Sequence, residues 1–160
     1  MYSKFRLLQK YLSYLWRGSN SKGHGVHSPF VFDFIINVLN KSHQETPSEF
    51  PVQQYSNAVN RKCNLLLHRV KSYYPYLQVH LISQSSNDGR LFEKTRKAMD
   101  QMGEQDCCFF IGIHHSSEFE NSWLEIKKNK KVTCSIDLFF VGILFFKKDF
   151  KEKLDFMIRF

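Results

Sequence analysis

Two adjacent histidines, His114 and His115, are the residues of this chain best placed to do chemistry. They follow an apolar run, residues 107–113, and precede a charged helical pattern. In open α/β sheets, active sites lie just beyond the carboxyl ends of parallel strands, and this pair is predicted to lie at such an end. Imidazole titrates near neutral pH, so either ring could serve as a general base. The sequence places no obvious carboxylate to orient either ring, which favours a structural role.

Three further polar residues are weaker candidates. His24 and His27 lie three residues apart, but a metal site needs at least a third ligand and none is evident nearby, so we predict a structural turn without a metal. Asp137 stands in an apolar run, either as a buried functional acid or, as we prefer, simply at the end of its strand. The four cysteines form no C-x-x-C pair and three fall in apolar runs, which indicates a reduced, intracellular setting.

The hydrophobic pattern predicts the elements that must position these residues. Helical periodicity and strand-like runs alternate along the chain. The predicted helices cover residues 1–16, 29–40, 56–73, 91–102 and 117–128. The predicted strands are residues 77–83, the run that begins at Cys107, two apolar runs before Phe146 that are separated around Val141 and Gly142, and the tail, 154–160. The second helix has a clear start, with Ser28 as N-cap and Pro29 at the first helical position.

The first predicted helix, residues 1–16, is amphipathic. Phe5, Leu8, Leu12 and Leu15 recur at helical spacing, with basic residues toward the other side. We expect this apolar face to dock on the core of the domain. The alternative is a helix that lies on a membrane surface, which its cations and aromatic residues favour.

Composition limits the class of protein. The 160 residues suffice for one domain, which we predict to span 1–160, with an N-terminal helical segment, 1–50, before an α/β part, 51–160. The net charge is +8, and lysines cluster in residues 127–131 and 147–153. A basic surface could bind nucleic acid, although such lysines are usually solvated. Because there is no signal-peptide pattern and no run of about 20 apolar residues, we expect a soluble, cytoplasmic protein without a transmembrane segment.

Two segments of the sequence resemble a known family. The first is GHGVHSPFVFDFIINVL, residues 23–39, and the second is IHHSSEFENSWLEIKKNKKVTCSIDLFFVGILFF, residues 113–146, followed by the terminal FMIRF. Together they resemble a Bacteroidetes-type family of class I S-adenosylmethionine-dependent methyltransferase-like proteins. Those proteins typically carry H-G-V-H-S-P-F, then D-D-I-H-W-S and W-x-E-I-K, then I-D-L-F-F-x-G. The matching motif positions are His24, Gly25, His27, Ser28, Pro29, Trp123 and Asp137.

The resemblance covers about half of the chain and implies an α/β fold. It implies a truncated, Rossmann-like methyltransferase sheet of about four or five mixed strands, with an antiparallel hairpin toward the C-terminus and helices at the N-terminus. The implied strand order is the family's fourth, fifth, seventh and sixth, with the seventh antiparallel. The family's first three strands and its cofactor-cradling glycine loop have no counterpart, because residues 53–77 read as one helix. Ile111, Gly112 and Ser83 also stand where the family tends to have acids, which leaves no carboxylate for a divalent metal.

These departures predict a degenerate methyltransferase-like protein with a structural or interaction role, without S-adenosylmethionine or a metal. One alternative is an active S-adenosylmethionine-dependent methyltransferase that uses His114 as base. A second alternative is a basic module that binds nucleic acid or an anionic surface. The missing strands also leave strand 77–83 at an edge of the sheet, which invites pairing. We expect the N-terminal helices or a second copy of the chain, in a homodimer, to cover that edge.

Overall fold

The computed structural model describes residues 2–18, 27–41, 51–53, 56–83, 91–147, 150 and 152–160. The helices are α1 (Lys4–Arg17), α2 (Pro29–Phe34), which continues as a π-helical segment (Ile35–Leu39), α3 (Asn57–Tyr73), α4 (Leu91–Gln101) and α5 (Ser117–Lys127). The strands are β1 (Gln78–Ser83), β2 (Asp106–Ile111), β3 (Cys134–Asp137), β4 (Val141–Phe145) and β5 (Leu154–Met157). The elements predicted from the hydrophobic pattern are therefore confirmed, with small differences at their ends. The predicted break around Val141 and Gly142 is wrong, because the turn lies at residues 138–140 and β4 begins at Val141.

The strands form one mixed sheet in the order β1-β2-β4-β3-β5. Strand β4 is antiparallel to both of its neighbours, β2 and β3. The outer pairs, β1 with β2 and β3 with β5, are parallel. The truncated, Rossmann-like α/β sheet with an antiparallel hairpin is thus confirmed. Strands β2 and β3 run in the same direction on either side of β4, so their carboxyl ends lie at the same edge of the sheet.

Helices cover both faces of this sheet. On one face, α2, the π-helical segment and α3 pack against alternate strand residues, including Phe109, Ile136 and Ile143. On the other face, α4 and α5 pack against Phe110 and Leu144. The central strands are buried on both sides, which explains their continuous apolar runs. Each helix packs where its apolar residues meet a sheet face, with the exception of α1.

Helix α1 docks with the opposite face from the one that the sequence predicts. Phe5, Leu8, Leu12 and Leu15 are exposed, so the expectation that they dock on the core is wrong. The buried residue of this helix is Tyr14, whose hydroxyl donates a hydrogen bond to the carbonyl of Ile158. Aromatic and basic side chains of α1 contact the carboxyl end of the sheet. This end carries polar groups, which an apolar stripe would leave without hydrogen-bond partners.

Strand β1 lies at the edge of the sheet, as predicted, with β2 as its neighbour. Leu81 on this strand is exposed. In the described part of the chain, α2 and α3 contribute to the core on one face of the sheet, and no strand pairs with the outer edge of β1. None of the helices in the described ranges is both long enough and apolar enough to cross a bilayer.

Candidate functional site

His114 lies at the carboxyl end of β2, in a turn that depends on Gly112. Gly112 has a φ of 80°, a conformation that favours glycine. Its amide donates to the carbonyl of Phe140 at 2.7 Å, and its carbonyl accepts from the amide of His115 at 2.9 Å. The chain therefore turns sharply after the strand and holds His114 over the end of the sheet.

Two carboxylates hold the ring of His114. Its Nε2 lies 3.0 Å from Oδ2 of Asp137, and its Nδ1 lies 3.3 Å from Oε1 of Glu120. The side chain of His114 is 13% exposed and that of Asp137 only 6%. The expectation that no carboxylate orients His114 is therefore wrong. Asp137 does lie at the end of its strand, as preferred from the sequence, and it is also a buried acid.

Glu120 is in turn held by the N-terminal part of the chain. Nζ of Lys10 lies 2.6 Å and 2.8 Å from its two carboxylate oxygens, and the hydroxyl of Tyr2 donates to Oε2 at 2.9 Å. The amide of Tyr2 also donates to the carbonyl of His115 at 2.9 Å. The site therefore joins β2, β3 and α5 to α1 through one continuous set of hydrogen bonds.

Aromatic rings cover the remaining face of His114. The ring of Phe139 stacks on the imidazole, with 5.1 Å between centroids and 27° between planes. Tyr11 and Tyr14 of α1 contact the same Phe139 ring. Phe139 adopts a φ of 67°, which is unfavourable for a bulky side chain, and its amide donates to Oδ1 of Asp137 at 2.8 Å. The aromatic cover is thus built on a backbone conformation that the Asp137 carboxylate helps to hold.

The electrostatics of the site favour the protonated form of His114. Burial lowers the pKa of His114, but the hydrogen bonds and negative charges of Asp137 and Glu120 outweigh it, so the pKa lies above the ordinary value of 6.5. Burial raises the pKa of Glu120, but Lys10, Tyr2 and His114 together bring it below the usual range. Burial and the neighbouring His114 lower the pKa of His115. Both ring nitrogens of His114 face carboxylate oxygens, an arrangement that suits an imidazolium, in which both nitrogens carry an N–H group.

A small cavity lies between α1 and the site. Its volume is about 140 Å³. It is lined by Lys10, Ser13, Tyr14 and Arg17 of α1 and by His114, Glu120, Phe139 and Met157. Pockets for small organic ligands and cofactors are commonly about 300–1,000 Å³. This cavity can take a few water molecules or a small ion, but not a nucleoside cofactor.

The other predicted site residues do not join this cluster. His115 is half-buried next to His114, and His27 is exposed before α2. Ser28 is the N-cap of α2, as predicted, with its hydroxyl accepting from Val31, and Pro29 opens that helix. His24 and Gly25 lie outside the described residues. Within the described ranges there is no group of three or more metal-ligating side chains placed to hold an ion.

Trp123, the remaining motif residue, is a core side chain. It is buried on α5 and its indole ring lies directly over Gly142 of β4. A Cβ atom at Gly142 would come within 2.6 Å of that ring. The tryptophan and the glycine of the two sequence motifs therefore form one packing contact, which explains why both residue types stand in these positions.

The four cysteines are buried thiols without disulfide partners. Burial raises the pKa of Cys63, Cys108 and Cys134 to about 12 and that of Cys107 well above its usual value. Thiols with such pKa values are poor nucleophiles at neutral pH. They serve as small apolar residues of the core, as their positions in the sequence suggest.

Several lysines of the two basic clusters make contacts within the chain. Lys127 forms an ion pair with Asp155 at 2.7 Å. Lys131 donates to the carbonyl of Asp100, and Lys153 donates to the carbonyl of Asn129 at 3.0 Å. Because these ammonium groups already donate hydrogen bonds within the protein, they have fewer free N–H groups and less unpaired charge with which to bind an external phosphate.

No protein-family model, curated protein or solved structure matches this chain. The function of the site must therefore be inferred from its geometry.

Proposed function

We propose that this chain is a methyltransferase-like protein that does not carry out S-adenosylmethionine-dependent catalysis and that acts in a structural or interaction role. The observation that carries this proposal is the state of His114, whose two ring nitrogens are both hydrogen-bonded to carboxylates. In this proposal the carboxyl end of the sheet, where an α/β enzyme would do its chemistry, serves to hold α1 in place.

The hydrogen bonds of His114 support this role. A general base needs a ring nitrogen with a free lone pair that faces the proton to be removed. Both nitrogens of His114 are within hydrogen-bond distance of the carboxylates of Asp137 and Glu120, which also raise its pKa, so neither nitrogen is directed at a substrate. The Glu120 oxygens are shared with Lys10 and Tyr2, so releasing the imidazole would also loosen the contact with α1.

The space at the site also supports a protein without the cofactor. A nucleoside cofactor needs a larger cavity than the roughly 140 Å³ found beside His114. In the described part of the chain, the residues just before β1 form helix α3, where the resembling family has cofactor-binding strands. We propose that α1 occupies part of the region that a cofactor and substrate would need.

Calorimetric titration with S-adenosylmethionine, and separately with its demethylated product, tests this proposal. We expect no heat of binding for the full chain at ligand concentrations up to the millimolar range. Micromolar binding would overturn the proposal and favour the active enzyme that uses His114 as base. A His114→Gln variant, measured in parallel, would then show whether the ligand lies at this end of the sheet.

The interaction role that we propose is homodimer formation through the edge of β1. The strand has one neighbour in the described sheet, and Leu81 on it is exposed. Unpaired strand edges are ready templates for another strand. Light scattering after gel filtration should give a dimer, and hydrogen exchange should be slow at the amides of residues 79–82. A monomer with rapid exchange over these residues contradicts the dimer.

We also propose a cytoplasmic location, which the four buried free thiols support. Fractionation of cells that produce the chain should place it outside the periplasm. Labelling of denatured protein from those cells should detect four free thiols. Recovery of oxidised, disulfide-linked protein from an oxidising compartment would contradict this location.

A further inference from the structure

The outer face of α1 carries an exposed apolar stripe of five large side chains. Trp16 is 91% exposed, Phe5 70%, Leu12 57% and Leu8 54%, and Leu15 is also exposed. At about 100° per residue, these five side chains fall within roughly 100° of the helix circumference. An isolated exposed leucine needs no explanation, but a continuous stripe of this kind is typical of a surface that binds something.

The contacts of the opposite face fix the direction of this stripe. Tyr14 is buried and donates to the carbonyl of Ile158, and Lys10 forms an ion pair with Glu120 at 2.6 Å. Rotating α1 to bury the stripe would break both contacts and move Tyr11 away from Phe139. The fold therefore holds the stripe on the outside of the molecule.

The charges of α1 indicate what the stripe contacts. The helix carries four basic residues, Lys4, Arg6, Lys10 and Arg17, and no acidic residue. Lys10 is paired with Glu120, whereas Lys4, Arg6 and Arg17 are exposed. Amphipathic helices with cations on the polar face and Trp, Phe and Leu on the apolar face lie in the interface of anionic membranes. Exposed tryptophan adds to this preference, because its ring suits the boundary between headgroups and acyl chains.

The charges of α1 also argue against a second copy of the chain as the binding partner of the stripe. Lys4 lies next to the edge of the stripe, so two α1 helices packed stripe to stripe would bring the two Lys4 side chains together with no acid in either helix to neutralise them. A bilayer with anionic headgroups accepts the apolar side chains and compensates the cations at once. We propose that the outer face of α1 binds the surface of an anionic lipid bilayer, a function beyond the one proposed above.

Vesicle binding tests this proposal with the full chain. Co-sedimentation should be strong with phosphatidylcholine vesicles that contain about 30% phosphatidylserine and weak with phosphatidylcholine alone, because cations on the helix contribute attraction to anionic lipid. High salt should reduce the bound fraction. The chain has two tryptophans, and Trp123 is buried, so a blue shift of the emission on binding reports on Trp16. Trp16→Phe should abolish the shift.

A pair of variants separates the stripe from the rest of the surface. Leu8→Glu combined with Leu12→Glu should lower the partition coefficient at least about tenfold, since it replaces apolar insertion by repulsion from the lipid. Leu124→Glu, at a comparably exposed position on α5, should leave binding unchanged. Circular dichroism checks that all three chains are folded alike.

Several outcomes would overturn the proposal. One is the absence of binding to anionic vesicles at low salt, and another is equal binding by the double variant and the wild type. A dimer that the double variant dissociates, without lipid binding, would assign the stripe to a second copy. Salt-dependent binding to DNA or RNA without lipid binding would assign the cations to nucleic acid.

Discussion

Helices α1 and α3 carry similar apolar stripes but use them in opposite ways. Helix α3 turns its stripe toward the sheet and buries Val59, Cys63, Leu66, Leu67 and Val70. Helix α1 leaves its stripe outside and docks through Tyr14 and Lys10. The difference lies in the receiving surface. A sheet face offers apolar side chains, whereas the end of this sheet offers His114 and two carboxylates, which are better partners for cations and hydroxyls.

The largest effect expected from this comparison is in the core under α3. Leu66→Ala should lower the free energy of unfolding by about 2–5 kcal/mol, because Leu66 is fully buried and the variant leaves a cavity. Leu12→Ala, the matched change on the outer face of α1, should alter it by no more than about 0.5 kcal/mol. Urea unfolding measures both. A large cost for Leu12→Ala would mean that the stripe packs on the protein after all.

Helix α5 also docks through apolar packing, and a substitution at Gly142 tests how closely its Trp123 ring packs on β4. Gly142→Ala should destabilise the protein by about 1–3 kcal/mol, because the new Cβ meets the ring of Trp123 and a packed core yields little. Gly103→Ala is the control, since a Cβ there has its nearest atom at 3.9 Å. Thermal unfolding compares the two variants. Equal melting temperatures would show that α5 can move away from β4 at little cost.

The polar docking of α1 should be weaker and local. Lys10→Gln should cost about 1 kcal/mol, because the lost ion pair with Glu120 is partly exposed to solvent. It should also speed proteolytic cleavage within α1. Lys4→Gln removes the same charge from an exposed position of the same helix and should change neither value. If the two variants behave alike, net charge rather than the Glu120 contact governs the docking of α1.

The smallest effect expected is a pH dependence from His114. Its raised pKa means that the native state binds the proton more tightly than the unfolded chain. The resulting stabilisation is fully present below about pH 6.5, the unfolded value, and is lost as the pH rises through the native pKa. The half-buried His115, with a lowered pKa, acts in the opposite sense.

Two measurements isolate the contribution of His114. The unfolding free energy of the wild type minus that of His114→Gln should be constant below about pH 6.5 and should decrease as the pH rises above that value. An NMR titration should place the pKa of His114 above 6.5 in the wild type and lower in Asp137→Asn, which removes one negative partner. An unchanged pKa in that variant would mean that Asp137 does not hold the imidazole proton.

Much of the fold could be predicted from the sequence because its signals are local. Ser28 and Pro29 mark the start of α2, and the continuous apolar runs of β2 and β4 indicate strands that are buried on both faces. The strand order was predicted from the resemblance of the second half of the chain to the methyltransferase-like family. Burial of one helical stripe was also predictable for α3, where the receiving surface is the sheet face itself.

The site was only partly predictable because its contacts are distant in the sequence. His114 was found from its place after a strand, and Asp137 was seen at the end of another. The rule that parallel strands end at one edge, applied to β2 and β3 together, would have brought these two residues into contact. Glu120 lies in the first turn of α5, the helix that follows β2, and is therefore close to the same edge of the sheet. No local signal in the sequence tells which face of α1 docks, because the helix has both a basic face and an apolar face that could contact the rest of the protein.

The contacts of α1 also have a consequence for the order of events during synthesis. Tyr14 is separated from Ile158 by 144 residues, and Lys10 is separated from Glu120 by 110. At the usual rate of about 5–20 residues per second, roughly 7–30 s pass between the appearance of Tyr14 and that of its acceptor. Helix α1 is thus synthesised well before the residues that dock it. During that interval its apolar stripe is available to a chaperone or a nearby bilayer, because the opposite face has not yet docked on the sheet.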